Sequence, residues 1–100
     1  MGSFRLSTLA KDDLKQIAIF THKRWGKNQR NKYLEQFDEM FHQLAENPSL
    51  GMSCNFIRRG YRKFPLISHV IYYRTGTDDS VEIIRILHKN MDVSEALFKA

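Results

Sequence analysis

Residues 61–88, YRKFPLISHVIYYRTGTDDSVEIIRILH, decide how this chain folds. They contain three runs rich in β-branched and aromatic residues, at 61–67, 70–75 and 81–88, and this composition is typical of β-strands. The TGTDDS segment at 75–80 has the Gly, Asp and Ser residues that form tight turns, so the last two runs should pair as a hairpin. The stretch therefore predicts a three-stranded antiparallel meander.

The last of these strands is apolar on both of its faces. By strict alternation, one face carries Val81, Ile83, Arg85 and Leu87, and the other carries Glu82, Ile84, Ile86 and His88. A strand that is apolar on both sides is typical of the interior of a sheet. We therefore expect helices to cover one side of the sheet and another segment to cover part of the other.

Two segments before the meander carry apolar residues at helical spacing. The first stripe comprises Leu14, Ile17, Ala18, Thr21 and Trp25, and the second comprises Tyr33, Leu34, Phe37, Met40, Phe41, Leu44 and Ala45. Their aromatic members, Trp25 among them, are predicted core residues.

The limits of both helices follow from local residue chemistry. Ser7 or Thr8 is predicted to cap the first helix, and Gly26 is predicted to end it in a left-handed conformation. The second helix should begin near Asn28 and end at Asn47, because the residue before a proline disfavours helical geometry. With so short a connection, the two helices are predicted to pack as an antiparallel hairpin.

The remaining segments complete an α+β single domain over residues 1–100. Residues 4–7 can form a short strand, and residues 49–60 are irregular, with Cys54 predicted as a half-buried structural thiol. Asp92 is predicted to cap a short C-terminal helix. The apolar side chains of this helix should either cover the exposed sheet face or be docked by another chain. They are Val93, Ala96, Leu97 and Phe98.

Length and composition limit the classes of function. A chain of 100 residues that is 42% hydrophobic should bury about 65% of its unfolded surface, enough for one core but not for a deep cofactor cleft as well. One cysteine permits no internal disulfide and favours a reducing cytoplasm. Because no apolar run is long enough to cross a bilayer, we expect no membrane association and an activity on the protein surface.

The net charge of +5 is concentrated in one segment of the chain. No acidic residue occurs between Asn47 and Thr77, and the five basic residues there are Arg58, Arg59, Arg62, Lys63 and Arg74. The rest of the chain balances eleven basic residues against eleven acidic ones. Such a concentration of positive charge either attracts an anionic partner or forms a solvated surface.

Residue patterns for cofactor or metal chemistry are missing from the sequence. The four histidines have no HxxxH or HExxH spacing, and no GxGxxG, GxxxxGK[ST] or GxSxG motif occurs. We therefore predict no metal, no cofactor and no nucleophile at Cys54. Metal-free RNA cleavage stays open, because Arg62, Arg74, Arg85 and His88 lie on predicted strands and could converge. The alternative is that these arginines pair with carboxylates and that His88 is structural.

A succession of short motifs resembles the ParE branch of the RelE/ParE toxin superfamily. In order, they are THKRWG at 21–26, YL at 33–34, LAENPSLG at 44–51, YRKFP at 61–65, HVIYYR at 69–74 and VEIIRILHKNMD at 81–92. Together they cover nearly the whole chain. The resemblance implies the same α+β architecture and the toxin of a bacterial type II toxin–antitoxin pair.

ParE-like toxins are understood to poison DNA gyrase by trapping it on cleaved DNA, without being enzymes themselves. The resemblance therefore implies gyrase and an acidic ParD-like antitoxin as partners, the antitoxin folding onto apolar surface along the helices and sheet in a hetero-oligomer. We predict target contacts at Arg58, Arg59, Arg62, Arg74, Arg85 and His88. RelE-like relatives cut mRNA, so an endoribonuclease using Arg62, Arg85 and His88 is the alternative, and an inactive interaction module is another.

Overall fold

A computed structural model describes residues 2–91 of the chain. In chain order its elements are β1 (Phe4–Leu6), α1 (Thr8–Trp25), α2 (Lys27–Glu46), a 3-10 turn (Pro48–Leu50), β2 (Met52–Ser53), β3 (Arg62–Leu66), β4 (His69–Thr75) and β5 (Val81–His88). The predicted α+β class, helical hairpin and meander are confirmed. The predicted helix from Asp92 onward lies outside the described residues.

The strands form a five-stranded sheet in the order β1-β5-β4-β3-β2. β1 pairs in parallel with β5, and the other neighbours are antiparallel. The prediction that β5 lies inside the sheet is confirmed, since it has a neighbour on each side. The segment at 49–60 was predicted to be irregular, but it contains β2, which pairs through only two residues with the beginning of β3.

The helical hairpin begins and turns at the residues expected from their chemistry. The Ser7 hydroxyl accepts a hydrogen bond of 3.0 Å from the Ala10 backbone N–H and so caps α1. Gly26 alone separates the helices, with a φ of 94° that a glycine adopts without steric cost. Across this turn, His22 of α1 contacts Arg30 of α2 at 3.2 Å.

The main core lies between the helices and the sheet. Its buried members are Ala10, Ile17, Tyr33, Phe37, Phe41, Leu44, Ile71, Tyr73, Val81, Ile83 and Ile86. The predicted burial of Tyr33, Phe37 and Phe41 is confirmed. The prediction for Trp25 is wrong, because this last residue of α1 lies one turn beyond the buried Thr21 and remains 65% exposed.

A register shift in β5 changes which residues share a face. Tyr72 pairs with Arg85 but Tyr73 pairs with Ile83, so Ile84 is an additional residue on β5. Such a bulge reverses the alternation beyond it. The predicted common face of Val81, Ile83, Arg85 and Leu87 is therefore wrong: Ile86 joins the main core with Val81 and Ile83, whereas Leu87 does not.

A second, smaller core covers part of the other side of the sheet, as expected. Its buried members are Cys54, Tyr61, Tyr72 and Leu87, with Ile57, Val70 and Ile84 packed against them. Cys54 was predicted to be half-buried, but its exposure is 0%. Burial raises the pKa of the Cys54 thiol, and the nearby Lys63 and Arg62 charges act in the opposite direction.

Neither α1 nor α2 is long and apolar enough to span a membrane, within the part of the chain that the structure describes.

Candidate functional site

The connection between β2 and β3, residues 54–61, is an ordered loop that we call the basic loop. The Cys54 N–H donates to the Tyr61 carbonyl at 2.9 Å, and the Tyr61 N–H donates to the Arg58 carbonyl at 3.1 Å. The Gly60 N–H donates to the Asn55 side-chain oxygen at 2.9 Å. Ile57 packs into the second core, so hydrogen bonds and an apolar anchor both hold the loop in place.

On and beside the basic loop, Arg58 and Lys63 each lie next to an aromatic ring. The Arg58 guanidinium lies 5.9 Å from the Tyr61 ring centroid, and the Lys63 ammonium lies 5.9 Å from the Phe56 ring centroid. Arg59 is exposed. Among residues 2–91, the ion pairs do not include Arg58, Arg59 or Lys63. Their positive charge is therefore available to an anionic partner.

Two further predicted contact residues are held by the protein itself. The Arg62 Nη1 atom donates to the Gly51 carbonyl at 2.8 Å, which ties β3 to the segment before β2. The Arg74 Nε atom donates to the Glu82 carboxylate at 3.0 Å on the neighbouring strand. Because the Arg74 side chain is 51% exposed, part of its guanidinium still faces solvent.

Arg85 forms a two-point contact with Asp13 of α1. Its Nε and Nη2 atoms donate to the two carboxylate oxygens at 2.7 and 2.9 Å, and both side chains are largely buried. The hydrogen bond to Asp13 raises the pKa of Arg85, against the opposing effect of burial. Asp13 also accepts from the Ile86 N–H at 3.0 Å, on the stretch of β5 that follows its pairing with β1. This geometry favours a structural role for Arg85.

His88 lies opposite His69 in the register of β4 and β5. The two imidazole ring centroids are 5.5 Å apart, and His69 Nδ1 lies 2.7 Å from the Tyr33 hydroxyl. His88 Nδ1 accepts from the Asn90 N–H at 3.2 Å. Sequence reasoning missed His69, because the predicted strand began at Val70. Extending that strand by one residue in the simple hairpin register would have paired His69 with Leu87, and the bulge at Ile84 is what places it opposite His88.

The two histidines lie in a cavity of about 480 Å³, which we call the aromatic groove. It is lined by Phe20, Thr21, Trp25, Gln29, Tyr33, Ile67, Ser68, His69 and His88. Phe20, Trp25 and Ile67 are each more than 60% exposed. A shallower depression beside Phe20 and Trp25 is also lined by Lys23 and Arg24. Exposed apolar side chains next to cations suit an amphipathic, acidic partner.

The three nuclease candidates occupy separate positions. Arg62 lies on β3, two strands away from β5, and two strand spacings are about 10 Å. Arg85 is bound to Asp13, and His88 faces His69 three residues further along β5. Their own partners hold them apart, so they do not form a single cluster. Within residues 2–91, no three His, Cys, Asp or Glu side chains are grouped as a metal site would require.

His69 should make the stability of the fold dependent on pH. Burial lowers the pKa of His69, the His88 charge adds to this effect, and Asp13 opposes it. The pKa of His69 in the folded state therefore lies below the unfolded value of about 6.5. The contribution of neutral His69 to the free energy of unfolding is complete above pH 6.5 and is lost as the pH falls below it. Urea unfolding between pH 7.5 and 5 should show this loss, with a slope below about 1.4 kcal/mol per pH unit.

The His69→Gln variant should have a flatter profile over this range. His22→Gln is the control, since this exposed histidine at the end of α1 is not part of the cavity with His69. Profiles of the same slope for the wild type and His69→Gln would contradict the prediction.

Comparison with known proteins agrees with the architecture. Residues 4–93 match the family model of the ParE toxin of the type II toxin–antitoxin system parDE. Toxin ParE1 of Mycobacterium tuberculosis is 36% identical over 94 residues, which are 94% of this chain and 96% of the relative. Toxin ParE1 of Caulobacter vibrioides is 39% identical over 92 residues, which are 92% and 94% of the two chains.

A solved structure of the chromosomal ParDE TA system from P. aeruginosa has the same fold. It matches with a TM-score of 0.75 at 20% identity, covering 88% of this chain and 96% of that chain. The family match and the two relatives span nearly all of the chain described above. The chain therefore belongs to the ParE family, the toxins of type II toxin–antitoxin systems.

Proposed function

We propose that this ParE toxin inhibits DNA gyrase by binding the enzyme while its DNA is cleaved, so that the break is not resealed. The observation that carries the proposal is the basic loop, an ordered support on which Arg58 and Arg59 are exposed and have no carboxylate partner among residues 2–91. Family membership supports a toxin role. The site of action would be the cytoplasm, where gyrase meets DNA.

The mechanism requires binding and no catalysis by the toxin. A local cluster of cations raises the rate of encounter with an anionic surface and adds to affinity once bound. Arg58 and Arg59 provide the main contacts in this proposal, and Arg74 contributes through its solvent-facing side. Arg85 acts indirectly, because its contact with Asp13 fixes β5.

The aromatic groove is the proposed docking site of a ParD-like antitoxin in a toxin–antitoxin complex. Phe20, Trp25 and Ile67 would be covered by an amphipathic segment, and Lys23 and Arg24 would face its acidic residues. A segment that folds as it binds can cover such an extended surface. Neutralisation then occurs through occupation of the toxin by its partner.

Replacing Arg58 and Arg59 together by alanine tests the gyrase proposal. Linear DNA should accumulate in a supercoiling reaction with purified gyrase and the wild-type toxin, and the variant should require roughly ten-fold more protein for the same effect. Thermal unfolding should be unchanged, since both side chains are exposed.

The control is Lys11→Ala with Lys15→Ala, which removes the same charge from exposed positions on α1. Equal poisoning by the wild type and the Arg58/Arg59 variant would contradict the proposal. An RNA cleavage assay with and without ribosomes, run in parallel, would instead reveal an endoribonuclease.

A further inference from the structure

We propose that Phe56 is a stacking platform for an unpaired nucleic-acid base, and that Arg58, Arg59 and Lys63 bind the adjoining phosphates. The basic loop would then contact DNA directly, at a position where bases are unstacked. The inference deepens the proposed function and rests on it, because a cleaved gyrase complex offers DNA ends of this kind.

The position of the Phe56 ring is the first observation. Its exposure is 80%, the highest among the large hydrophobic residues in the described part of the chain. The next residue, Ile57, packs inward against the second core. The loop thus packs Ile57 inward as an anchor and presents the adjacent aromatic ring to solvent, where a base can stack on it.

The charges around this ring are the second observation. The Lys63 ammonium is within reach of the ring face at 5.9 Å from its centroid. Arg58 and Arg59 follow within three residues, and the carboxylates that form ion pairs with arginine in residues 2–91 engage Arg5, Arg74 and Arg85 instead. An exposed aromatic ring beside uncompensated cations has the composition of a single-strand binding surface.

The order of the loop is the third observation. Backbone hydrogen bonds join its two ends, and Gly60 adopts a φ of 87° that closes the turn. A support that is already in place loses little conformational entropy on binding. The ring and the cations can therefore engage a strand without folding of the loop.

These features favour nucleic acid over an acidic protein surface. Carboxylates would satisfy Arg58, Arg59 and Lys63 but would leave the Phe56 ring in water. A nucleotide satisfies both, because its phosphate binds the cations and its base has a flat face for the ring. In intact duplex DNA the bases are stacked on each other, so the surface should prefer single strands.

The experiment is fluorescence anisotropy of the full chain with a labelled 12-nucleotide DNA strand and with the matching duplex, at several salt concentrations. The wild type should bind the single strand more tightly. Phe56→Ala should weaken single-strand binding about 5- to 100-fold with little effect on the duplex, whereas Phe56→Trp should preserve it. Circular dichroism should show that these variants of an exposed residue remain folded.

Salt dependence separates stacking from phosphate binding. Arg58→Ala with Arg59→Ala should reduce the slope of log K against log salt by about 1.4, since each single-strand phosphate contact contributes about 0.7. Phe56→Ala should leave the slope unchanged. The Lys11/Lys15 double variant is the control for a simple loss of charge.

Equal single-strand affinities for the wild type and Phe56→Ala would overturn the inference. So would a loss of gyrase binding by the Arg58/Arg59 variant in the absence of DNA, if its oligonucleotide binding were unchanged, because the loop would then be a protein-binding surface. The anisotropy assay contains no gyrase. Phe56-dependent binding without gyrase poisoning would therefore refute only the proposed function, and poisoning without such binding would refute only this inference.

Discussion

Replacing Asp13 by alanine is expected to destabilise the domain by about 3–5 kcal/mol, the range for breaking a buried ion pair by removing one partner. The variant leaves the Arg85 guanidinium, which has 15% side-chain exposure, without its two-point contact to Asp13. It also leaves the Ile86 N–H without its Asp13 acceptor. Urea unfolding at pH 7, followed by circular dichroism, would measure the loss.

Three variants identify the origin of this effect. Asp12→Ala, a change at the exposed neighbouring position, should alter stability by no more than about 0.5 kcal/mol. Asp13→Asn should have an intermediate effect, because the amide oxygen can still accept from Ile86. Adding Arg85→Met to Asp13→Ala should recover part of the loss, since it also removes the largely buried charge that Asp13 compensated. A stability of Asp13→Ala equal to that of Asp12→Ala would contradict the structural role.

Local sequence patterns predicted most of the elements because the physics that forms them is local. Phe37 and Phe41 belong to an apolar stripe whose spacing places its members on one side of the segment only if that segment is a helix. The helix limits at Ser7 and Gly26 depend on side chains within a few residues. The sheet meander was predictable for the same reason, since its strands are continuous runs with turn residues between them.

The features that were missed depend on contacts between distant parts of the chain. The bulge at Ile84 is a property of how β5 pairs with β4, and no single residue in the strand signals it. The contact of Arg85 with Asp13 joins residues 72 positions apart, so it becomes visible only in the fold. Trp25 lies on the stripe of α1, but the stripe does not show where the packing surface under the helix ends.

The same distinction applies to the candidate site. The sequence shows directly that no acidic residue lies near Arg58 and Arg59, so the basic loop was predictable as a charged segment. The exposure of Phe56 was not predictable, because this residue lies in an irregular segment. Such a segment has no periodic pattern from which buried and exposed positions could be told apart. His69 was missed for lack of a strand register, although it lines the aromatic groove together with His88.

The exposure of Trp25 predicts the largest effect on complex formation. Trp25→Ala should weaken binding of the ParD-like antitoxin by about 30-fold or more, because aromatic anchors of an interface are often worth 2 kcal/mol or more. The free toxin should lose little stability, since Trp25 is 65% exposed and the Arg24 guanidinium lies over its ring at 5.5 Å from the centroid. Isothermal titration calorimetry with the purified antitoxin would measure the affinity.

Leu9→Ala is the matched control, because Leu9 is an exposed apolar residue near the other end of α1 and does not line the groove. Its antitoxin affinity should equal that of the wild type. Trp25→Ala should also retain Phe56-dependent binding to single-stranded DNA, since neither the Phe56 ring nor the loop cations line the groove. If Trp25→Ala and Leu9→Ala bound the antitoxin equally well, the antitoxin would have to dock elsewhere, and the exposed indole would have to contact a different partner.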